Sequence, residues 1–471
     1  MSTPESPAPP QSGGRQEWLS QESPAILPDD APVFASAQTD ARRFGAGAAW
    51  NLAAAVFGQG STFALGIALA NVLGVAGFGA YAIVQNTALT LITVATLASG
   101  LTASKFVAEL RRVDPARAGR VLGLASVVST VTSVCAAGGL VLGAPFIATS
   151  ALGNADLAPA LAIVAISVWF GIATAWQLGA LAGFEAYPSI AAAALTGGAV
   201  TVIGGIGGGL AAGLRGALIG GAFGAAVRFG HVAWLLRRQL IAHDVAIRYR
   251  EIGREGPLLL HFALPAALSG LLATPALWLA SAVVIRQPDG QTQLAFFAAA
   301  NAMRTLVLFL PQVVNGVALP MLSHVKGFEE SGRFAGLFWR NVLVTAVLVG
   351  AGAIGIATAG SHLLSLYGPR FVGAYPVLVV LMISAVSEGV ALAAYQLIQS
   401  EGRMWWSLLG LVLPRDVIAV SLAIALVPSM GAMGLAVAFA VASTLGLLLV
   451  VAQVYYLGLH HQVGPRRGTG S

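Results

Sequence analysis

Apolar runs of about twenty residues or more recur from about residue 46 to residue 458, and that recurrence limits this chain more than any motif in it. An α-helix needs about 20 predominantly apolar residues to cross a hydrocarbon core of about 30 Å. Lipid offers no partner to backbone N–H and C=O groups, so each run must satisfy its own groups as a helix. Runs of this length exceed the roughly 9–11 residues of a barrel strand. Water-soluble domains are excluded by composition: 9% of the residues are charged and 57% are hydrophobic, against roughly 25% charged in a soluble domain. The fold class is all-α, a polytopic membrane protein with about twelve transmembrane helices.

The expected segments are 46–73, 78–104, 120–143, 158–182, 189–212 and 214–236, then 257–285, 294–322, 339–360, 375–399, 404–427 and 431–458. Residues 1–41 hold seven prolines and six acidic residues without helical periodicity, and read as a disordered cytoplasmic tail with no cleaved signal. If that tail is cytoplasmic, the inside connections collect eighteen lysines and arginines: Arg42, Arg43, Lys105, Arg111, Arg112, Arg117, Arg120, Arg237, Arg238, Arg248, Arg250, Arg254, Lys326, Arg333, Arg340, Arg403, Arg466 and Arg467. The outside connections hold three, Arg215, Arg286 and Arg370. This positive-inside bias places both termini in the cytoplasm and supports the segment number, since one missed helix would scramble the alternation. The net charge of +6 therefore sets topology and implies no nucleic-acid partner. Cys135 stands alone in an apolar run, which leaves neither an intrachain disulfide nor a cysteine metal cluster and reads as inert packing.

The two halves look related, with Gly100 falling opposite Gly316 and a basic loop after each matching stretch. Six helices (42–236), a basic linker (237–256), six more (257–458) and a short cytoplasmic tail (459–471) give parallel repeats about an axis along the membrane normal. The linker alternates basic and apolar residues and is expected to lie on the anionic inner surface as an amphipathic helix.

Five stretches carry a family resemblance: LGVAGFGAYAIVQ at 73–85, GLTASKFVAELRRVDPARAGRV at 100–121, LPMLSHV at 319–325, LYGPRFVGAYPVLVVL at 366–381 and LIQSEGRMWW at 397–406. In order and spacing they resemble the Wzx-like oligosaccharide flippases of the polysaccharide transporter family, within the multidrug/oligosaccharidyl-lipid/polysaccharide exporter superfamily. Lys105 stands where that family often has arginine. The resemblance implies two six-helix lobes around a central cavity that opens alternately to either side. It also implies an undecaprenyl-pyrophosphate-linked oligosaccharide as substrate, moved from the inner to the outer leaflet of a bacterial cytoplasmic membrane for polysaccharide biosynthesis.

Polar groups inside apolar helices need a protein or water partner, because an arginine or aspartate at the bilayer centre costs about 2.5–3.5 kcal/mol on insertion scales. In the eighth segment Asn301, Arg304, Gln312 and Asn315 share one face, beside Pro311. Asn51, Gln59 and Thr62 share a face in the first segment, and Gln85, Thr93, Thr96 and Ser99 in the second. Ser384, Glu388, Tyr395 and Gln399 do so in the tenth. These faces are expected to line one aqueous path, in which Arg304, Asn301, Gln312, Asn315, Asn51, Gln59 and Gln85 bind substrate. The alternative for each hydroxyl or amide is a helix-to-helix hydrogen bond. Glu388 reads as a proton or cation site or as the counter-charge to an arginine. Arg415 and Asp416, adjacent and therefore about 100° apart, are expected to pair with other helices. Arg228, about nine residues before the cytoplasmic end of its segment, reads as partly snorkelling. His231, His261 and His324 lack metal-ligand spacing, and no metal or cofactor is assigned. Trp405 and Trp406 read as an interfacial aromatic belt.

The function expected is a non-enzymatic flippase whose partners are the lipid-linked oligosaccharide, membrane lipids and glycan-assembly proteins. The rivals are a multidrug or cation antiporter of the same superfamily, which would want more intramembrane acids, and a membrane-embedded glycan polymerase or ligase, which would want acidic residues or histidines in the outer connections.

Overall fold

The computed structural model describes residues 33–96, 99–256, 273–326, 331–400 and 408–456, with side chains at 33–49, 51, 273, 310, 313–326, 331–337, 399, 400 and 408 left aside. The chain forms two compact units, Met1–Ala46 and Gly47–Ser471; the site lies in the second. Eleven α-helices follow one another among the described residues. They are α1 (Val33–Ala95), α2 (Ser99–Leu110), α3 (Pro115–Phe146), α4 (Ala158–Gly183), α5 (Tyr187–Ala242) and α6 (Ala273–Ile285). Then come α7 (Gly290–Lys326), α8 (Ser331–Ser365), α9 (Tyr375–Ser400), α10 (Leu413–Met430) and α11 (Ala432–Tyr456).

Nine described helices are long and apolar enough to cross a membrane. Two of them, Leu52–Ala95 and Tyr187–Ala242, have 44 and 56 residues, or roughly 66 and 84 Å at 1.5 Å per residue, enough for two crossings each. Each is broken once. Gly74 adopts φ 70°, a conformation costly for a residue with a Cβ, and the helix is broken there by a kink. Ala212 and Gly213 leave helical geometry together in α5. A shorter apolar helix covers Thr274–Ile285. This is the polytopic all-α membrane fold that the apolar runs require.

Local chemistry sets several boundaries. Asp114 caps α3 by accepting from the Arg117 amide at 2.8 Å, with Pro115 at the first helical turn, where its missing N–H costs nothing. Near the other end, Pro145 lies just ahead of a single π-helical turn at Ile147–Ala151. The segment expected to run unbroken over 78–104 is instead interrupted: α1 ends at Ala95, Thr96 forms a turn and α2 starts at Ser99. The Thr96 hydroxyl donates to the Thr93 carbonyl at 3.0 Å, a local bond that competes with the helix ladder. Residues 33–41, assigned by composition to the tail, are helical.

The linker is a correction. Residues 237–242 continue α5, and the rest does not lie as an amphipathic helix but packs on α3. The Arg248 amide donates to the Gly119 carbonyl at 3.0 Å. Val245 is buried, and the buried Glu255 carboxylate lies 3.3 Å from both Arg117 and Arg120. A carboxylate held by two guanidinium groups has better partners on α3 than an interface could offer. Cys135 is also not packed inside; it is exposed, on the helix that exposes Val131, Val134 and Leu142.

Helices α2–α5 pack on one another and α6–α11 on one another, as an N-terminal and a C-terminal bundle. The α1 helix touches both: Gly198 of α5 meets Phe57 and Ser61, and Gly66 meets Tyr367.

Candidate functional site

The bundles meet through aromatic rings at the end that carries the Gly74 turn. Tyr367, between α8 and α9, contacts Phe63, Phe78 and Phe371 with ring centroids 6.0, 5.8 and 5.7 Å apart. Phe371 also contacts Phe78 at 5.8 Å and Phe296 at 6.0 Å. Beside the rings, the Asn71 amide donates to the Leu366 carbonyl at 2.7 Å. Deeper in, the Trp278 indole N–H donates to the Thr87 hydroxyl at 2.8 Å, and Thr90 donates to the Thr274 carbonyl at 3.3 Å. The hydrogen bonds and ring contacts described between the bundles all fall between the Gly74 end and the level of these two threonines. Among the described residues they make a seal at the Gly74 side of the interface.

Helical spacing places two expected site residues within the depth of this seal, Gln85 eleven residues from Gly74 and Gln59 fifteen, against sixteen for Thr90. Gln59 lies one turn below Phe63 and two below Gly66, on the face of α1 that meets Tyr367. Gln85 donates to the Tyr81 hydroxyl at 2.8 Å, and Tyr81 stacks on Phe78.

Among the described residues the seal has two loose groups, the hydroxyls of Thr274 and Tyr367. The Tyr367 hydroxyl is buried without a hydrogen-bond partner, and burial pushes it well above its ordinary pKa. An unpaired buried hydroxyl costs about 1–3 kcal/mol, a penalty absent wherever water can reach the group. Tyr367→Phe is therefore expected to stabilise the sealed state, seen as slower maleimide labelling of a Gln59→Cys thiol from the Gly74 side. Unchanged labelling would place a water on that hydroxyl.

The C-terminal bundle holds the charges. Arg304 of α7 is 8% exposed. Its Nη2 is paired with the Glu388 carboxylate of α9. Its Nε donates to the Ser384 hydroxyl at 3.2 Å and its Nη1 to the Asn301 side-chain oxygen at 3.3 Å. Ser384 meets Ser443 of α11 at 3.0 Å, and the guanidinium carbon lies 5.9 Å from the Phe439 ring centroid. Three residues chosen from sequence, Asn301, Arg304 and Glu388, are thus brought together with Ser384. The counter-charge reading of Glu388 describes what is seen, but the pair joins two helices of one bundle and does not tie the bundles to each other. Glu388 keeps 26% of its side chain exposed, so it is the reachable partner of the two.

Arg415 and Asp416 correct an expectation, since they pair with each other, Nε to Oδ1 at 2.8 Å. The long arginine stem folds back over the 100° step, and the mutual pair neutralises two charges in apolar surroundings. The second Asp416 oxygen is buried without a partner. Arg228 is farther from a helix end than expected, because α5 runs on to Ala242. Gln312 is exposed, two turns along α7 from Arg304. The Asn51, Asn315, His324 and Gln399 side chains lie outside the described residues, as do His261, Trp405 and Trp406. His231 contacts the Thr196 hydroxyl at 2.6 Å. The aromatic seal was missed by sequence reasoning; the GFGAY and LYGPRF stretches marked its two sides without showing that they touch.

Comparison with known proteins agrees with this architecture. Residues 44–326 match the family described as polysaccharide biosynthesis protein. The EPS I polysaccharide export inner membrane protein EpsE of Ralstonia nicotianae is 27% identical over 362 residues, 75% of this chain and 80% of that protein. Among solved structures, the inward-facing conformation of a multidrug resistance MATE family transporter of the MOP superfamily superposes with TM-score 0.71 at 16% identity, over 85% of this chain and 95% of that one. The lipid II flippase MurJ in an inward closed conformation gives 0.70 at 15% identity, over 85% and 86%. The fold is that of these transporters and, with the family match spanning more than half of its length, the chain belongs to the polysaccharide biosynthesis protein family.

Proposed function

We propose that the protein is a flippase that carries an undecaprenyl-pyrophosphate-linked oligosaccharide from the inner to the outer leaflet of the bacterial cytoplasmic membrane. Twelve spans, two lobes and alternating access make up this reading. The observation that carries it is the seal that joins the two bundles at the Gly74 end among the described residues, with Gln85 within it and Gln59 at its inner edge, level with Thr87 and Thr90. By the positive-inside rule the Gly74 end faces outward and the basic loops face the cytoplasm, so a sealed Gly74 end suits loading from inside. The amides and hydroxyls suit sugar hydroxyls, and the lipid tail remains in the bilayer. The polysaccharide export protein and the lipid II flippase among the relatives support the same substrate class.

In this cycle Arg304 is held by Glu388 until the pyrophosphate or an entering proton or cation takes the place of one partner. One charge moving through 100 mV supplies about 2.3 kcal/mol, enough to bias such an exchange. A cation antiporter is disfavoured by the N-terminal bundle, whose membrane segments contain no aspartate or glutamate between Glu109 and Asp114 on one side and Asp244 on the other except Asp156 and Glu185 in connections.

Purified protein in liposomes should move a fluorescent lipid-linked oligosaccharide between leaflets, read as dye newly accessible to an impermeant quencher. Extrusion of cationic dyes with no movement of the lipid would replace this reading by the antiporter, and glycan lengthening by the enzyme. The orientation is checked separately with a reporter active only outside the cytoplasm, expected to be silent at either terminus and active when fused after Gly290. Activity at the C-terminus would remove the twelve-span arrangement.

A further inference from the structure

We infer that Arg228 is the first docking point for the pyrophosphate, in a groove of the N-terminal bundle separate from the Arg304 cluster; the inference rests on the flippase reading.

The argument starts from charge. Among the described residues, five arginine and carboxylate side chains stand deep within the apolar helices: Arg228, Arg304, Glu388, Arg415 and Asp416. Four of them cancel as the pairs Arg304–Glu388 and Arg415–Asp416. Arg228 is left over, with no ion pair or hydrogen bond among the described residues. It lies fourteen residues from Leu214 and fourteen from Ala242, the ends of its half of α5, about 21 Å each way at 1.5 Å per residue. Arg237, where the basic interface begins, is nine residues on, or about 14 Å. An uncompensated cation at such depth is costly unless water or an anion reaches it.

The helix face shows where that space lies. The exposed apolar residues of this half, Ile219, Phe223, Trp234 and Ile241, lie about 120–180° round the helix from Arg228 at 100° per residue. Arg228 therefore points away from the lipid-facing stripe and is still exposed. What exposes it is an internal groove.

The groove is built. A Cβ on Gly197 would sit 2.9 Å from the β, γ and δ carbons of Arg228, so the missing side chain is what lets the stem lie across the first half of α5. The neighbouring Gly198 abuts Phe57 and Ser61 of α1. One turn along, His231 and Thr196 are joined at 2.6 Å. The C-terminal bundle repeats the device with roles exchanged. There Arg415 of α10 has its stem against Gly446 of α11, whose Cβ would meet Arg415 Cδ at 3.1 Å. The difference is the acid: Arg415 has Asp416, whereas Arg228 has none. With Arg304 also occupied, Arg228 is, among the described residues, the arginine in the membrane interior whose guanidinium is open to two phosphate oxygens in this state.

The test uses the full-length protein, titrated by calorimetry at fixed ionic strength with inorganic pyrophosphate, with geranylgeranyl pyrophosphate and with phosphatidylglycerol in nanodiscs. Wild-type protein should bind both pyrophosphates, Arg228→Gln at least about tenfold more weakly, the loss expected for a charge-assisted fork. Arg228→Lys should recover only part, since a point charge cannot reproduce the fork. Arg228→Gln removes a membrane-embedded charge and lowers insertion cost, and Arg228→Lys leaves the charge unchanged, so both variants should remain folded. Unchanged binding by Arg228→Gln, or equal binding of phosphatidylglycerol, overturns the inference. If lipid-linked oligosaccharide is still moved in that case, the flippase reading survives. If instead inorganic pyrophosphate binding depends on Arg228 but no lipid-linked oligosaccharide moves, the site stands and the flippase reading fails.

Discussion

Arg304→Ala should lower both membrane abundance and export, and a second change, Glu388→Gln, should restore the abundance without restoring the export. Arg304 ties Glu388, Ser384 and Asn301 into one cluster. Removing one partner of a buried pair costs about 3–5 kcal/mol, chiefly because the other charge is left without a counter-ion. The Glu388 side chain is 26% exposed, so water offsets part of that cost and the loss should fall near the lower end of the range. Glu388→Gln removes the stranded charge, and the double variant should therefore accumulate like wild type. Export needs the guanidinium itself in the proposed cycle, and the double variant should remain at about a tenth of wild type or less, the loss of one charge-assisted contact. Arg304→Lys separates the two roles further. It keeps a cation opposite Glu388 and should accumulate normally, while the bonds to Ser384 and Asn301 go and export falls. Immunoblots of membranes and glycan export, measured on the same cultures, give both readouts. Normal export by an abundant double variant would reduce the pair to a structural one.

The sequence made some of this cluster legible and concealed the rest for a physical reason. Asn301 and Arg304 lie three residues apart, so helical periodicity alone puts them side by side. Glu388 was a candidate partner because an intramembrane charge requires one. Periodicity carries no information about which helix faces which, and the partner of Asp416 was misjudged for that reason. The one next to it was the cheapest, but the reach of an arginine stem is not visible in a helical wheel. The seal was hidden in the same way: Phe63 and Tyr367 are ordinary apolar and interfacial residues until the fold brings residues about three hundred positions apart into contact. The fold class was the easier inference, because each apolar run had to be helical whatever its neighbours. Chain breaks depended on single residues. Gly74 and Gly213 fell within or beside expected turns, while no glycine or proline marked the interruption after Ala95.

Gly79→Leu should abolish export while leaving the protein at normal abundance, by preventing the seal from closing. Gly79 lies five residues beyond the Gly74 turn, where a Cβ would press into the carbonyl group of Gln291 at the start of α7. The obstructing atoms are backbone, at the end of a helix, and cannot swing aside as a side chain would. Overpacking of this kind costs about 1–3 kcal/mol, and the cost falls only on the conformation in which α1 and α7 touch. A state in which the Gly74 ends are apart escapes it, so the change acts on the balance between states more than on folding. At 1.4 kcal/mol per factor of ten, the sealed state should lose roughly five- to a hundred-and-fifty-fold in relative population. Gly79→Ala should give a graded version of the same effect. A Gln59→Cys thiol in a Cys135→Ala background reports the shift: in intact cells an impermeant maleimide should reach it only through an open seal, and labelling should rise from the parent to Gly79→Ala to Gly79→Leu. Loss of export with faster labelling is the expected pair of results. Normal export with unchanged labelling would mean that the close approach of Gly79 to Gln291 is no part of the transport cycle.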